Sequence, residues 1–218
     1  MVKPESALRR LMRETGKLLE PYGFEGADPT WTRIQDSGIA TVGRTRLLRT
    51  WTAGEQVLRF GLTLSATPAP WWTFCNWRNT RLGLPAIPLE KATGPAQLTD
   101  SALPAPMTTL WTMHADPTTP GHIAPSDIDR IRTDLPRRVH TYARRSLRLL
   151  NPDHHLEELL ALPEKTRATW EAIAILLAAQ GPTPDLDNAL THLTDLTPEP
   201  PTLAEEIHTY AQSRPAMV

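Results

Sequence analysis

The sequence predicts an α+β protein: a small antiparallel sheet with an N-terminal helix ahead of it and a helical C-terminal subregion behind it. Three observations carry that reading. Helical periodicity opens the chain and returns only after residue 125. Between the two, Val57 to Ala66 alternates: Leu58, Phe60, Leu62, Leu64 and Ala66 point one way, Val57, Arg59, Gly61, Thr63 and Ser65 the other. That is a strand with one buried face, not the all-apolar strand of a parallel core. Ten prolines then fall within residues 67–126, which argues against long helices there.

The elements follow in order. Leu8, Leu11, Met12, Leu18 and Leu19 form a helical stripe, with Arg9, Arg10, Arg13 and Lys17 largely off it. Pro4 and Glu5 suit its first turn; Pro21 and Gly23 end it. Thr30–Gln35 is a short strand, Arg44–Trp51 a second, and Thr52–Glu55 the turn into the alternating strand 57–66. A last strand is expected at Met107–Met113, with Met107, Thr109, Trp111 and Met113 on one face. The segments around it, 67–105 and 114–125, read as proline-stiffened connections.

Ser126 is expected to cap the main helix, with Asp129 three residues on. Ile128, Ile131, Leu135, Val139, Tyr142, Ser146 and Leu149 share one face; Arg130, Arg137, Arg138, Arg144, Arg145 and Arg148 share the other. Pro136 predicts a kink or a split. Asn151-Pro152-Asp153 then starts a helix running to about Leu162. Further helices are expected from Pro163 to Gly181, over Asp185–Leu193 and over Thr202–Gln212. The organisation predicted is a sheet region, 1–125, with a helical region, 126–218, packed on it in a single compact domain, and a frayed tail after Ser213.

Composition bounds the function. The 218 residues carry 23 basic and 24 acidic side chains, a net charge of −1, so a strongly cationic nucleic-acid binder is not indicated. The charge is nonetheless split: residues 1–150 hold 20 Lys/Arg and 13 Asp/Glu (+7), residues 151–218 hold 3 and 11 (−8). One cysteine, Cys75, excludes an intramolecular disulfide and a cysteine-built zinc site within this chain, and fits a reducing compartment. The N-terminus lacks the apolar core of a signal peptide, and the longest apolar run is only Ala172–Ala179. A cytoplasmic protein is expected, and the excess of Arg over Lys suggests a GC-rich bacterial genome.

The order of features resembles a bacterial domain-of-unknown-function family (DUF 4304). The likeness rests on the Tyr22-Gly23-Phe24 turn after the first helix, the aromatic-x-Arg strand Trp31-Thr32-Arg33, Arg59-Phe60-Gly61-Leu62 at a strand end, the Trp-centred Leu110-Trp111-Thr112, and the helical C-terminal half. It covers most of the chain and implies an α+β fold and a bacterial cytosolic origin, not a reaction. The stretch around Trp71, Trp72 and Trp77 departs from that pattern, so a function special to this chain would lie there.

Each candidate site has two readings. Trp71, Trp72 and Trp77, in WWTFCNW, are either the aromatic wall of a pocket or partner anchor, or a loop pinned over the sheet by its own aromatics. Cys75 is either a nucleophile or an inert thiol among apolar rings. His114 and Asp116, after the last strand, are either a catalytic pair or turn chemistry. His154-His155 beside Asp153, Glu157 and Glu158 invites a metal, but adjacent helical residues point about 100° apart, and no metal ligand set is assigned. Arg137, Arg144, Arg145 and Arg148, with Arg130 and Arg138, are either a grip for phosphates or an acidic protein, or a face that is solvated or covered by the acidic 151–218 segment; partial cover is the expectation, with Arg137 and Arg144 nearer that segment than Arg130. No nucleotide loop, GxSxG or HExxH is present. The reading is a non-catalytic cytosolic binding protein, of an immunity or regulatory kind, with a protein partner and no cofactor, nucleic acid or membrane. The alternative is an enzyme or small-ligand binder with a pocket between the sheet and the Trp71–Trp77 loop.

Overall fold

The structure is a computed structural model that describes residues 2–52, 55–99, 102–116, 118–119, 121–196 and 202–214. The fold is α+β, with an N-terminal helix and two antiparallel sheets. In chain order the elements are α1 (Pro4–Leu19), β1 (Glu25–Ala27), β2 (Thr30–Gln35), β3 (Gly38–Arg44), β4 (Leu48–Thr52), β5 (Glu55–Phe60), β6 (Leu62–Pro68), α2 (Ala69–Arg81), α3 (Ala105–Thr108), β7 (Trp111–His114), α4 (Pro125–Arg148), α5 (Pro152–Leu160), α6 (Arg167–Ala178), α7 (Pro184–Asp195) and α8 (Thr202–Gln212). The four-stranded sheet has the order β1-β2-β3-β6 and the three-stranded sheet β4-β5-β7. Ala53 and Gly54 of the expected turn, and residues 215–218 of the expected frayed tail, lie outside the described residues.

The chain divides into two compact units: Met1–Arg33, Ala40–Ser65 and Thr99–Leu147 form the first, Ile34–Ile39, Ala66–Leu98 and Arg148–Val218 the second. The division does not fall at 125/126, because nearly all of α4 belongs with the first unit.

In the first unit α1 behaves as its stripe dictates. Pro4 stands in the first turn, where a missing N–H costs nothing, and Ala7, Leu8, Leu11, Met12 and Leu19 are buried. A bidentate pair ties α1 to α4, Arg132 donating to Glu14 at 2.6 and 3.2 Å. The alternating face is buried as read, with Leu58, Phe60, Leu62, Leu64 and Ala66 all at most 4% exposed, while Arg59, Thr63 and Ser65 are exposed. It is two strands, however, broken at Gly61. There the backbone turns to Thr45: Gly61 N–H donates to Thr45 Oγ1 (2.9 Å) and Gly61 carbonyl accepts from Thr45 N–H (3.0 Å). The expected strand 44–51 shifts to β4, and β3, rich in small residues, is an element the sequence pattern did not suggest.

The strand expected over Met107–Met113 is only β7, Trp111–His114. Pro104 and Pro106 turn residues 105–108 into one helical turn, and the Met107 and Thr109 carbonyls accept from Arg138 instead of a neighbouring strand. Trp111 and Met113 do share the buried face. Helix α4 starts at Pro125, so Ser126 lies inside the first turn and is not its cap. Nor does Pro136 split it: the helix runs unbroken to Arg148. Losing one N–H is outweighed by a buried stripe continuous across it, Ile131, Leu135, Val139 and Tyr142.

The second unit is built around α6. Ala172 through Ala178 are all buried, which fits a helix apolar on every side, and α2, α5, α7 and α8 pack against it. Helix α6 starts after its cap Thr166, not at Pro163. Asn151 caps α5 as expected, its side chain accepting from Asp153 and His154 N–H. Among the described residues no helix is long and apolar enough to cross a membrane.

Candidate functional site

The tryptophan stretch is a helix, α2, not a loop. Pro70 sits in its first turn and the next proline is Pro85, leaving a free run between them. The indoles are occupied within the second unit. Trp71 Nε1 donates to the Thr93 carbonyl (3.1 Å) and Trp72 Nε1 to the Ile87 carbonyl (2.7 Å). Asn76 clasps the same residue from both sides, accepting from Ile87 N–H at 2.6 Å and donating to its carbonyl at 3.1 Å. Gly94, at φ 85°, lets the chain pass under Trp71, where a Cβ would come within 3.1 Å of the indole nitrogen. These side chains pin the proline-rich segment 85–95 to α2. Trp77 stacks on Phe74 (5.8 Å between centroids), meets Tyr210 edge-on (5.2 Å) and carries Arg81 on its ring (4.9 Å). A shallow depression of about 380 Å³ lies beside it, lined by Asn76, Trp77, Tyr210 and Arg214.

Cys75 is half-buried on α2. Burial pushes its thiol pKa up, the Glu171 charge adds to this, and Arg78 opposes it. Burial likewise raises the Glu171 carboxyl, against Arg167 and Arg78. Arg78 itself pairs with Glu206 at 2.7 Å. A raised thiol pKa leaves less thiolate, the opposite of nucleophile activation.

His114 pairs with Asp127, not with Asp116. Asp127, buried in the first turn of α4, accepts from His114 Nδ1 (2.7 Å), from His114 backbone N–H (2.8 Å) and from Arg130 (2.9 Å). Asp116 accepts instead from the N–H and hydroxyl of Thr118 at 2.9 and 2.7 Å, which holds its carboxyl below the usual range. That is a side-chain turn.

The arginine face divides by residue. Arg138 is buried: it lies over Trp111 (4.6 Å) and pairs with Asp134. Asp134 also accepts from Trp111 Nε1 (2.9 Å) and Arg137 (2.8 Å). The described ion pairs of Arg130, Arg137 and Arg138 are thus made to carboxylates of α4 itself, which explains them without the acidic C-terminal segment. Arg145 donates to the Thr99 carbonyl at 3.1 Å, and Arg144 and Arg148 are exposed.

A cavity with charged walls lies elsewhere, in the first unit. A groove of about 730 Å³ runs between one face of α1 with its C-cap, from Arg9 to Glu20, and Gly26, Ala27, Asp28 and Trp31. Arg9, Arg13 and Lys17 recur every four residues, so they stand in a row rising about 6 Å per step. All three are exposed, and among the described residues none makes an ion pair. Asp28 on the opposite wall is neutralised by Arg44 at 2.7 and 3.2 Å. Trp31 lines the groove, and its Nε1, which is not one of the buried polar atoms left without a partner, has no acceptor among the described residues. Gly16 makes room for that ring, since a Cβ there would lie 2.9 Å from Nε1. The sequence signal was Arg9-x3-Arg13-x3-Lys17, read only as a polar helix face.

Comparison with family models, with curated proteins and with solved structures found no match for this chain. Among the described residues no three His, Cys, Asp or Glu side chains are grouped as a metal site would need.

Proposed function

We propose that this chain is a binding protein, with the α1–β1 groove as its site and a negatively charged group as its ligand. What carries the reading is the coincidence, on one cavity, of three cations without an ion-pair partner and the Trp31 indole, whose N–H has no acceptor among the described residues. An N–H donor without a protein acceptor, set beside a row of cations, is suited to an anion. The role proposed with it is non-catalytic, of an immunity or regulatory kind, in a bacterial cytoplasm; kinship with the DUF 4304 family is proposed on the sequence motifs alone. The reading is tested by titrating the protein with poly-glutamate at low salt, following the Trp31 indole N–H resonance, assigned through Trp31→Phe. The resonance is expected to shift, and the shift to be lost in Arg13→Glu with Lys17→Glu. A resonance indifferent to the polyanion overturns the site.

A further inference from the structure

We infer that the occupant is an extended acidic segment of another protein, laid along α1 and paired to the outer edge of β1. This rests on the groove being the binding site. Length is the first argument. The lining residues of α1 and its C-cap run from Arg9 to Glu20, about 16 Å along the axis, which a strand of about five residues spans. A lone phosphate or carboxylate would engage only part of a cationic row about 12 Å long.

The second argument is the sheet edge. β1 is the outermost strand of its sheet and pairs with β2 alone, through Glu25–Thr32, Gly26–Trp31 and Ala27–Thr30. Glu25, Gly26 and Ala27 are all exposed, and Gly26 and Ala27 line the groove. Open strand edges bordering a groove take extended peptides by main-chain hydrogen bonding.

Spacing is the third. Alternate side chains of a strand lie about 6.6 Å apart on one face, close to the about 6 Å between successive cations on α1. Acidic residues at every second position would therefore meet Arg9, Arg13 and Lys17 in turn. Trp31 Nε1 supplies one more donor from the floor. Glu20 at the far end repels an acid, so the acidic positions belong at the Arg9–Lys17 end.

The test uses the full chain and three probes: an acetylated seven-residue peptide alternating glutamate with threonine, its glutamine counterpart, and inorganic pyrophosphate. Binding is read by the anisotropy of dye-labelled peptide, by the Trp31 indole resonance and by hydrogen exchange of the β1 amides. The glutamate peptide is expected to bind at low salt, shift Trp31 and protect at least one amide among Glu25, Gly26 and Ala27. The glutamine peptide, and the protein carrying Arg13→Glu with Lys17→Glu, should each bind at least tenfold more weakly. Circular dichroism confirms that the variant, altered only at exposed positions, is folded. If pyrophosphate shifts Trp31 and the glutamate peptide does not, the groove is a small-anion site: the inference falls and the binding reading stands. If neither probe acts, both fall. Binding without protection of β1 rejects strand addition. Sedimentation showing self-association that the double variant abolishes makes the occupant a second copy, and also overturns the inference.

Discussion

Asp134 is where four side chains settle one charge. Burial acts to raise its pKa, but hydrogen bonds from Arg137 and Trp111 and the charge of Arg138 outweigh it, and the carboxyl titrates below its ordinary value of 3.8. A carboxyl depressed in the folded state contributes stability above its unfolded pKa and loses it as pH falls through the folded one. Asp134→Asn should therefore cost about 2–3 kcal/mol at neutral pH, since Arg138 stays buried without its counter-charge. Below about pH 4 the gap between wild type and variant should close; urea melts across pH showing a constant gap would reject the assignment. Phe60 and Arg59 test the pleat. Phe60 is fully buried and Arg59 exposed, so Phe60→Ala should cost about 3–5 kcal/mol and Arg59→Ala under about 1. Cys75, its thiol raised by burial, should alkylate with iodoacetamide at pH 8 more slowly than glutathione does; equal or faster modification would restore it as a reactive thiol.

Helix α2 and the segment 85–95 show how an element is misread one residue type at a time. Ten prolines between 67 and 126 argue for loops in sum, but a helix responds to where they fall. Pro70 is harmless in a first turn, and no proline follows until Pro85. Once α2 forms, Trp71, Trp72 and Asn76 hold the proline-rich segment through its backbone. Asn76→Ala would leave the half-buried Ile87 N–H without its 2.6 Å acceptor, at a cost of about 1–3 kcal/mol. Hydrogen exchange and proteolysis should then quicken within 85–95 and not in β5. Unchanged exchange there would show that the clasp is not what holds the segment. Pro136 carries the complementary lesson: its local cost is real, yet α4 continues because the buried stripe on either side is already in place.

Across the whole chain the net charge of −1 conceals an N-terminal excess of +7. Screening acts over about 8 Å at physiological salt, so an anionic probe near α1 responds to Arg9, Arg13 and Lys17 and not to the molecular total. Its association should slow as salt is raised, and Arg144→Glu, made at an exposed site of α4, should change stability by less than about 0.5 kcal/mol. A loss several times larger would place Arg144 in a structural contact.

The α+β class, the first helix, the buried face of 57–66, the stripe of α4 and the cap of α5 were all legible in the sequence. They follow from local periodicities, 3.6 or 2, and from proline and asparagine chemistry at element ends. Other features depend on partners far along the chain. Gly61 breaks a strand because Thr45 takes its backbone bonds. Residues 107–109 leave the sheet because Arg138 takes their carbonyls. His114 pairs with Asp127, thirteen residues on, and not with Asp116, two residues away. The groove is of this second kind. Its cations were visible as a polar helix face, but their meaning came only when folding set Gly16 against Trp31 and laid the outer strand Glu25–Ala27 beside that face. Spacing along a chain determines which side chains share a surface; what that surface meets is decided by long-range packing.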